Sequence, residues 1–88
     1  MVQVQFTPTA ADDLARLSKP IAQRVLSKIR WLAEHFESLT PEPLRGQWND
    51  IFKLRVGDYR VLYTFSIAEE TVTIHFVRHR REVYKGRP

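Results

Sequence analysis

Between Asp50 and Val77 apolar residues fall at every second position in three stretches, and two turn sequences separate them. A strand places successive side chains on opposite faces, so each stretch carries one apolar face and one mixed face. In the first stretch Phe52, Leu54 and Val56 share a face, and Ile51, Lys53 and Arg55 take the other. Gly57-Asp58 reads as a two-residue hairpin turn, because glycine in the first central position accepts a positive φ. Tyr59 to Phe65 returns with Tyr59, Val61, Tyr63 and Phe65 on a common face, which gives both tyrosines a structural role. Ala68-Glu69-Glu70 turns again, and Thr71 to Val77 sets Val72, Ile74 and Phe76 against Thr71, Thr73 and His75. The pattern is a three-stranded antiparallel meander, and the first half of the chain must cover one of its faces.

That first half supplies a strand and two helices. Val2, Val4 and Phe6 alternate with Gln3 and Gln5. Thr7-Pro8 then ends the strand and opens a helix, with threonine as the capping oxygen and proline where no N–H is needed. Asp12 and Asp13 fall in its first turns, where the helix dipole favours anions, and Ala10, Leu14 and Leu17 form its apolar stripe. Ser18-Lys19-Pro20 repeats the signal and starts a longer helix with Ile21, Val25, Leu26, Ile29, Leu32, Ala33 and Phe36 on one side. Trp31 reads as core beside that stripe, and His35 as a cation meeting the C-terminal end of the dipole. The short break predicts an antiparallel helical hairpin. Residues 38–43 hold two prolines and no period, so they read as a surface connection; Leu44-Arg45-Gly46-Gln47 is a turn, and Trp48 packs or stacks on a base. The expectation is one α+β domain over residues 1–88: a strand, a helical hairpin, then the meander, in one sheet with the helices on one face. Nothing is left to cover the other face.

Eighty-eight residues leave no room for a second core, and the absence of cysteine excludes disulfides, a Cys-ligated zinc site and a thiol nucleophile. No apolar run approaches the ~18 residues of a membrane span, and the N-terminus lacks a signal-peptide pattern, so a cytoplasmic protein without membrane contact is expected. The net charge is +4, and its excess lies in the second half: residues 45–88 carry nine cations against five anions. Such asymmetry favours a polyanionic partner. Lys53 and Arg55 belong to the open face, and Arg60 lies near them across the ladder. The tail adds Arg78, His79, Arg80, Arg81, Tyr84, Lys85 and Arg87 against Glu82 alone. Cations beside a histidine and a tyrosine, with no paired carboxylates, suit a phosphodiester: arginine and lysine stabilise the extra charge of a pentavalent transition state, and either ring moves a proton. A solvated basic face without chemistry is the plain alternative. His75 and His79 are ~13 Å apart in an extended chain, too far to share an ion, and the three glycines form no phosphate-cradling loop. No metal or cofactor is expected.

At these residues the sequence resembles the RelE toxins of the RelE/ParE superfamily. The resemblance spans nearly the whole chain and rests on Leu44-Arg45-Gly46, on Phe52 through Tyr63, and most specifically on His79-Arg80-Arg81-Glu82-Val83-Tyr84. It implies a toxin of a type II toxin–antitoxin system: a metal-independent, ribosome-dependent endoribonuclease that cuts mRNA in the ribosomal A site. It implies silencing by a RelB-type antitoxin, with operator DNA bound only by the toxin–antitoxin complex. Position by position, it implies that Lys53 and Arg60 hold the phosphate, Arg80 assists the leaving group and Tyr84 is the base. Arg45, Arg55, Arg78, Arg81 and Lys85 would contact the RNA backbone. His79 competes with Tyr84 for the base role, and the sequence leaves the choice open. Ile51 stands where some members carry a second lysine, and no helix is expected after the last strand, where some relatives have one. A ParE-like gyrase inhibitor and a passive basic nucleic-acid module remain the alternatives.

Overall fold

The meander forms as the alternation requires. In a computed structural model describing residues 2–43 and 51–85, β3 (Phe52–Val56), β4 (Tyr59–Ser66) and β5 (Thr71–His79) pair antiparallel. Gly57 turns the first hairpin at φ +59°, and Glu70 closes the second turn at φ 51°. β1 (Gln3–Phe6) adds to β5 in parallel, with Val4 opposite Val72. β2 (Glu42–Pro43) pairs with β3, so residues 42 and 43 of the expected surface connection are an edge strand. The sheet order is β1-β5-β4-β3-β2.

α1 (Pro8–Ala15) begins as its sequence predicts. Thr7 Oγ1 accepts from the Ala10 N–H at 3.1 Å, and its own hydroxyl donates to the His75 carbonyl at 3.2 Å, tying the cap to β5. Ser18 holds the equivalent place before α2 (Lys19–His35), but its side chain makes no capping bond. Residues 16–18 join the two helices. α1 packs mainly on β5 and then β1, and α2 meets the 3-10 turn that follows it and β3, so the hairpin read from the short break stays an expectation. Between the helices and the sheet lies the core, in which Val25, Leu32, Val61, Tyr63, Val72 and Ile74 are fully buried. Each such side chain contributes on the order of 1.5–3 kcal/mol by leaving water. A short 3-10 turn, Phe36–Ser38, sets Phe36 against Tyr63 and Phe65.

Several placements differ from the periodic reading. Leu26 is 45% exposed, Phe6 is exposed, and Trp31 faces outward. The Trp31 indole stacks on His35 with ring centroids 5.0 Å apart and lies 3.9 Å beneath the Lys28 ammonium, a cation–π contact in place of a core one. His35 Nδ1 in turn bonds the Trp31 carbonyl at 2.9 Å. Asp12 and Asp13 lie past the first turn of α1. In β5 the register slips between Leu62 and Tyr63 of its partner, because His75 is an extra residue. The bulge flips the alternation: Val72, Ile74 and Val77 face the helices, and Phe76 faces away with Leu62.

The largest departure concerns the open face. β5 passes directly into α3 (Arg80–Lys85), which was not expected. Its Val83 is buried against Leu62, with Ile51 and Phe76 packed alongside, so a second small apolar cluster forms on the sheet face opposite the main core. The helices therefore do not all lie on one face. Among the described residues no helix is long and apolar enough to cross a membrane.

Candidate active site

The register of the meander brings three arginines into one row. Arg55 on β3 is opposite Arg60 on β4, and Arg60 is opposite Arg78 on β5. Directly paired residues share a sheet face, and like charges so paired destabilise a sheet. Each arginine is met by a different partner. Arg55 Nη2 lies 3.5 Å from Glu42 Oε2. Arg60 Nη1 donates to the carbonyls of Gly57 at 3.0 Å and Tyr59 at 2.9 Å, folding the guanidinium over the hairpin turn, while its Nε is buried with no partner among the described residues. Arg78 Nε donates to Asp13 Oδ2 at 2.9 Å.

Two residues along β3 from Arg55, on the same face, lies Lys53, opposite Leu62. Its side chain is 6% exposed, and its Nζ stands 3.5 Å from the same Glu42 oxygen that meets Arg55. Arg55 is the exposed member of the pair, at 62%. Sequence reasoning missed Glu42 because it lies outside the patterned segments; only the Glu42–Lys53 pairing of β2 with β3 brings it to the row. It missed the part played by Asp13 as well. β1 stops opposite Ile74, and beyond that point the buried Asp13 carboxylate accepts the Val77 N–H at 3.0 Å, serving the exposed edge of β5 from α1.

Arg80 and Arg81 open α3 on its exposed side, and the Arg80 N–H donates to the Asp58 carbonyl at 2.8 Å. That bond fastens the start of α3 to the turn held by Arg60. Tyr84 and Lys85 are the last two residues of α3, one turn beyond Arg80 and Arg81. Arg45 lies outside the described residues, as do the turn around it and Trp48.

His79 is placed differently. It is the residue opposite Tyr59, on the alternation that carries Val61 and Val77 and not on the one that carries Arg60 and Arg78. Its ring meets Tyr59 edge-on, with centroids 5.4 Å apart. Its Nδ1 accepts the Arg81 N–H at 3.2 Å, and its own N–H donates to Glu82 Oε1 at 3.0 Å. Of the tyrosines on β4, Tyr63 packs edge-on against Phe36 in the core, and its phenol is pushed up to about 12 by burial and, secondarily, by the Glu42 charge. It stays protonated and structural. Among the described residues no three His, Cys, Asp or Glu side chains cluster.

The arrangement is a row of cations beside a short helix that opens with two arginines, and the fold that carries it is found in known proteins. Residues 4–84 match the family described as the ParE toxin of the type II toxin–antitoxin system parDE. The chain is 35% identical to Toxin RelG of Mycobacterium tuberculosis over 86 residues, covering 93% of this chain and 94% of that one. It is 31% identical over 85 residues to Toxin RelE of the same organism, covering 97% and 88%. Among solved structures, the M. tuberculosis toxin–antitoxin complex RelBE2 is similar at a TM-score of 0.79 and 34% identity, over 90% of this chain and 98% of that one. The isolated Escherichia coli RelE toxin shares the fold at a TM-score of 0.75 and 18% identity, over 90% and 84%. The chain belongs to the RelE/ParE superfamily of type II toxin–antitoxin toxins, as a RelE-type member.

Proposed function

We propose that this toxin cleaves mRNA on the ribosome. The observation that carries the reading is the row Arg55, Arg60 and Arg78 with Lys53 beside it: cations placed in register, at a strand spacing of about 4.8 Å, with Arg55 and Arg78 reaching solvent at the two ends and with Arg60 and Lys53 buried. The ribose 2′-hydroxyl attacks the adjacent phosphorus, forming the P–O2′ bond of a cyclic phosphate while the P–O5′ bond breaks. Tyr84, as the phenolate, takes the 2′-proton and becomes the phenol, and the 5′-oxygen leaves as a hydroxyl with a proton from solvent. Lys53 and Arg60 stabilise the charge gathering on the phosphoryl oxygens. Arg80 stabilises the leaving oxygen electrostatically, since a guanidinium is too weak an acid to give up its proton. Arg45, Arg81 and Lys85 contact neighbouring phosphates. The row holds no poised acid–base pair, which fits dependence on the ribosome to align the 2′-oxygen with phosphorus; alignment of that kind supplies ~7–11 kcal/mol.

The test is translation of a defined mRNA with added protein, mapping the cut ends with and without ribosomes. Cuts within the A-site codon only when ribosomes are present are expected. Cutting of naked RNA at the same rate would contradict the ribosome requirement. The family match to ParE toxins favours a second reading, a gyrase inhibitor without nuclease chemistry. In-cell pulse labelling separates the two: protein synthesis stops first under the nuclease reading, and DNA damage with filamentation comes first under the other. A passive basic module does neither.

The partner that silences the toxin is, in this reading, a RelB-type antitoxin. Relatives of M. tuberculosis and E. coli have been solved as RelB–RelE complexes. An acidic or amphipathic segment laid over the arginine row complements its charge, and operator DNA is bound by the pair together. Expression alone should stop growth, and co-expression with the antitoxin should restore it.

A further inference from the structure

Six residues are too few to hold a helix in water, because nucleation costs more than one turn of hydrogen bonds returns. α3 must therefore be held from outside, and three contacts do so. Val83 is buried against Leu62, and the Arg80 N–H is bound by Asp58. The third is a reciprocal pair at the start of the helix. Taking Arg80 as the first helical residue, His79 is the N-cap and Glu82 the third residue. Glu82 Oε1 accepts from the His79 N–H at 3.0 Å, and His79 Nδ1 accepts from the Arg81 N–H at 3.2 Å. This is the geometry of a capping box with imidazole in the place of a hydroxyl or carboxylate. Two otherwise orphaned N–H groups are satisfied, and a carboxylate sits at the positive end of the helix.

We infer that His79 and Glu82 are positioning residues, whose reciprocal cap orders α3 and so fixes the backbone from which Arg80 and Tyr84 act. The inference rests on the nuclease reading for its catalytic consequence. Two observations separate His79 from the chemistry. A neutral imidazole that accepts at Nδ1 carries its proton on Nε2, so while the cap is formed neither nitrogen has a lone pair free for a substrate proton. The register also puts His79 on the alternation of Tyr59 and Val77, across the sheet from Arg60. Glu82, the single acidic residue of the tail, is thereby given a purpose that charge neutralisation alone does not explain.

The experiment compares His79→Ala, His79→Asn, Glu82→Ala, Glu82→Gln and the double alanine variant. It uses single-turnover cleavage on programmed ribosomes and backbone NMR of residues 80–85 in the free protein. Asparagine is a good N-cap acceptor and glutamine a good partner at the third helical position, and neither is an imidazole or a carboxylate. Each alanine variant should lower the saturating rate about tenfold with little change in half-saturating ribosome concentration, and should lose the helical shifts of α3 while global Tm holds. The double variant should be no slower than the worse single one, since the two act as a unit. Asparagine and glutamine should restore both the shifts and most of the rate. A His79→Asn protein with α3 intact but as slow as His79→Ala would overturn the inference and make the imidazole itself reactive. Alanine variants that keep the helix would overturn the cap, and a melted α3 at full rate would overturn its role in positioning. If the parent protein does not cut on ribosomes, the nuclease reading fails by itself, and the NMR arm still decides whether the pair is a cap.

Discussion

Lys53 is a cation that the fold has taken out of water, with 6% of its side chain exposed. Burial of an ammonium is tolerated only with compensating partners, and Glu42 stands 3.5 Å away on an adjacent edge strand. The carboxylate also screens Arg55, so it lowers the positive potential of the row it stabilises. Glu42→Gln should move two measurements in opposite directions. Stability should fall by about 1 kcal/mol in chemical denaturation, a modest loss because Glu42 is half-exposed. Affinity for a short RNA at low salt should rise several-fold, because one anion leaves the site. A second residue carries a pH dependence. The Tyr63 phenol is raised from 10 to about 12 in the folded chain by burial first and Glu42 second. The folded state therefore holds a proton that the unfolded state releases, so the stability Tyr63 adds is intact below pH 10 and is lost as pH rises towards 12. Over that window the parent should lose about 2–3 kcal/mol that Tyr63→Phe does not lose, read by parallel denaturation series.

At the scale of elements, β5 depends on a side chain from another element. β1 pairs β5 only as far as Ile74, and Asp13 of α1 continues its edge by accepting from Val77 and Arg78. Asp13→Ala leaves a buried N–H unpaired and frees Arg78, so it should cost about 3 kcal/mol, while Asp13→Asn keeps an acceptor and should cost about half as much. Thermal or urea denaturation of the two variants checks the ranking. The meander was legible in the sequence because period-two alternation survives in β3 and β4, and the helix starts were legible in Thr7-Pro8 and Lys19-Pro20. The bulge at His75 was not, because Phe76 and Val77 are both apolar and either satisfies the alternation. α3 escaped for a different reason: six residues with one apolar position that turns inward, Val83, carry no helical period. Leu26 and Trp31 show the converse error, since an apolar residue at the margin of a helical stripe need not reach the sheet.

Over the whole molecule, the two sheet faces have divided the work. The helix-covered face holds the main core, with Tyr63, Val61, Val72 and Ile74. The opposite face holds Lys53 and the arginine row, with α3 as a wall along its side. Of the candidate site, the shared face of Lys53, Arg55 and Arg60 was legible in the sequence; the pairing partners of these cations and the placement of His79 depend on register and on an unforeseen helix. Because the row is electrostatic, binding to RNA should weaken steeply with salt, and Arg55→Ala should flatten the slope of log affinity against log salt by about one unit or less. Arg55 suits this test because it is 62% exposed and its loss spares the core.

The central claim is that α3 brings a cation to the phosphate held by the row. Arg80 tests it most directly, because its side chain is exposed and, among the described residues, the fold is served by its backbone N–H. The measurement is the single-turnover cleavage rate of a defined mRNA on programmed ribosomes for the parent and Arg80→Ala, with Tm measured on both. The account predicts a loss of ~10²-fold or more in rate at unchanged Tm. Equal rates in the two proteins would contradict it.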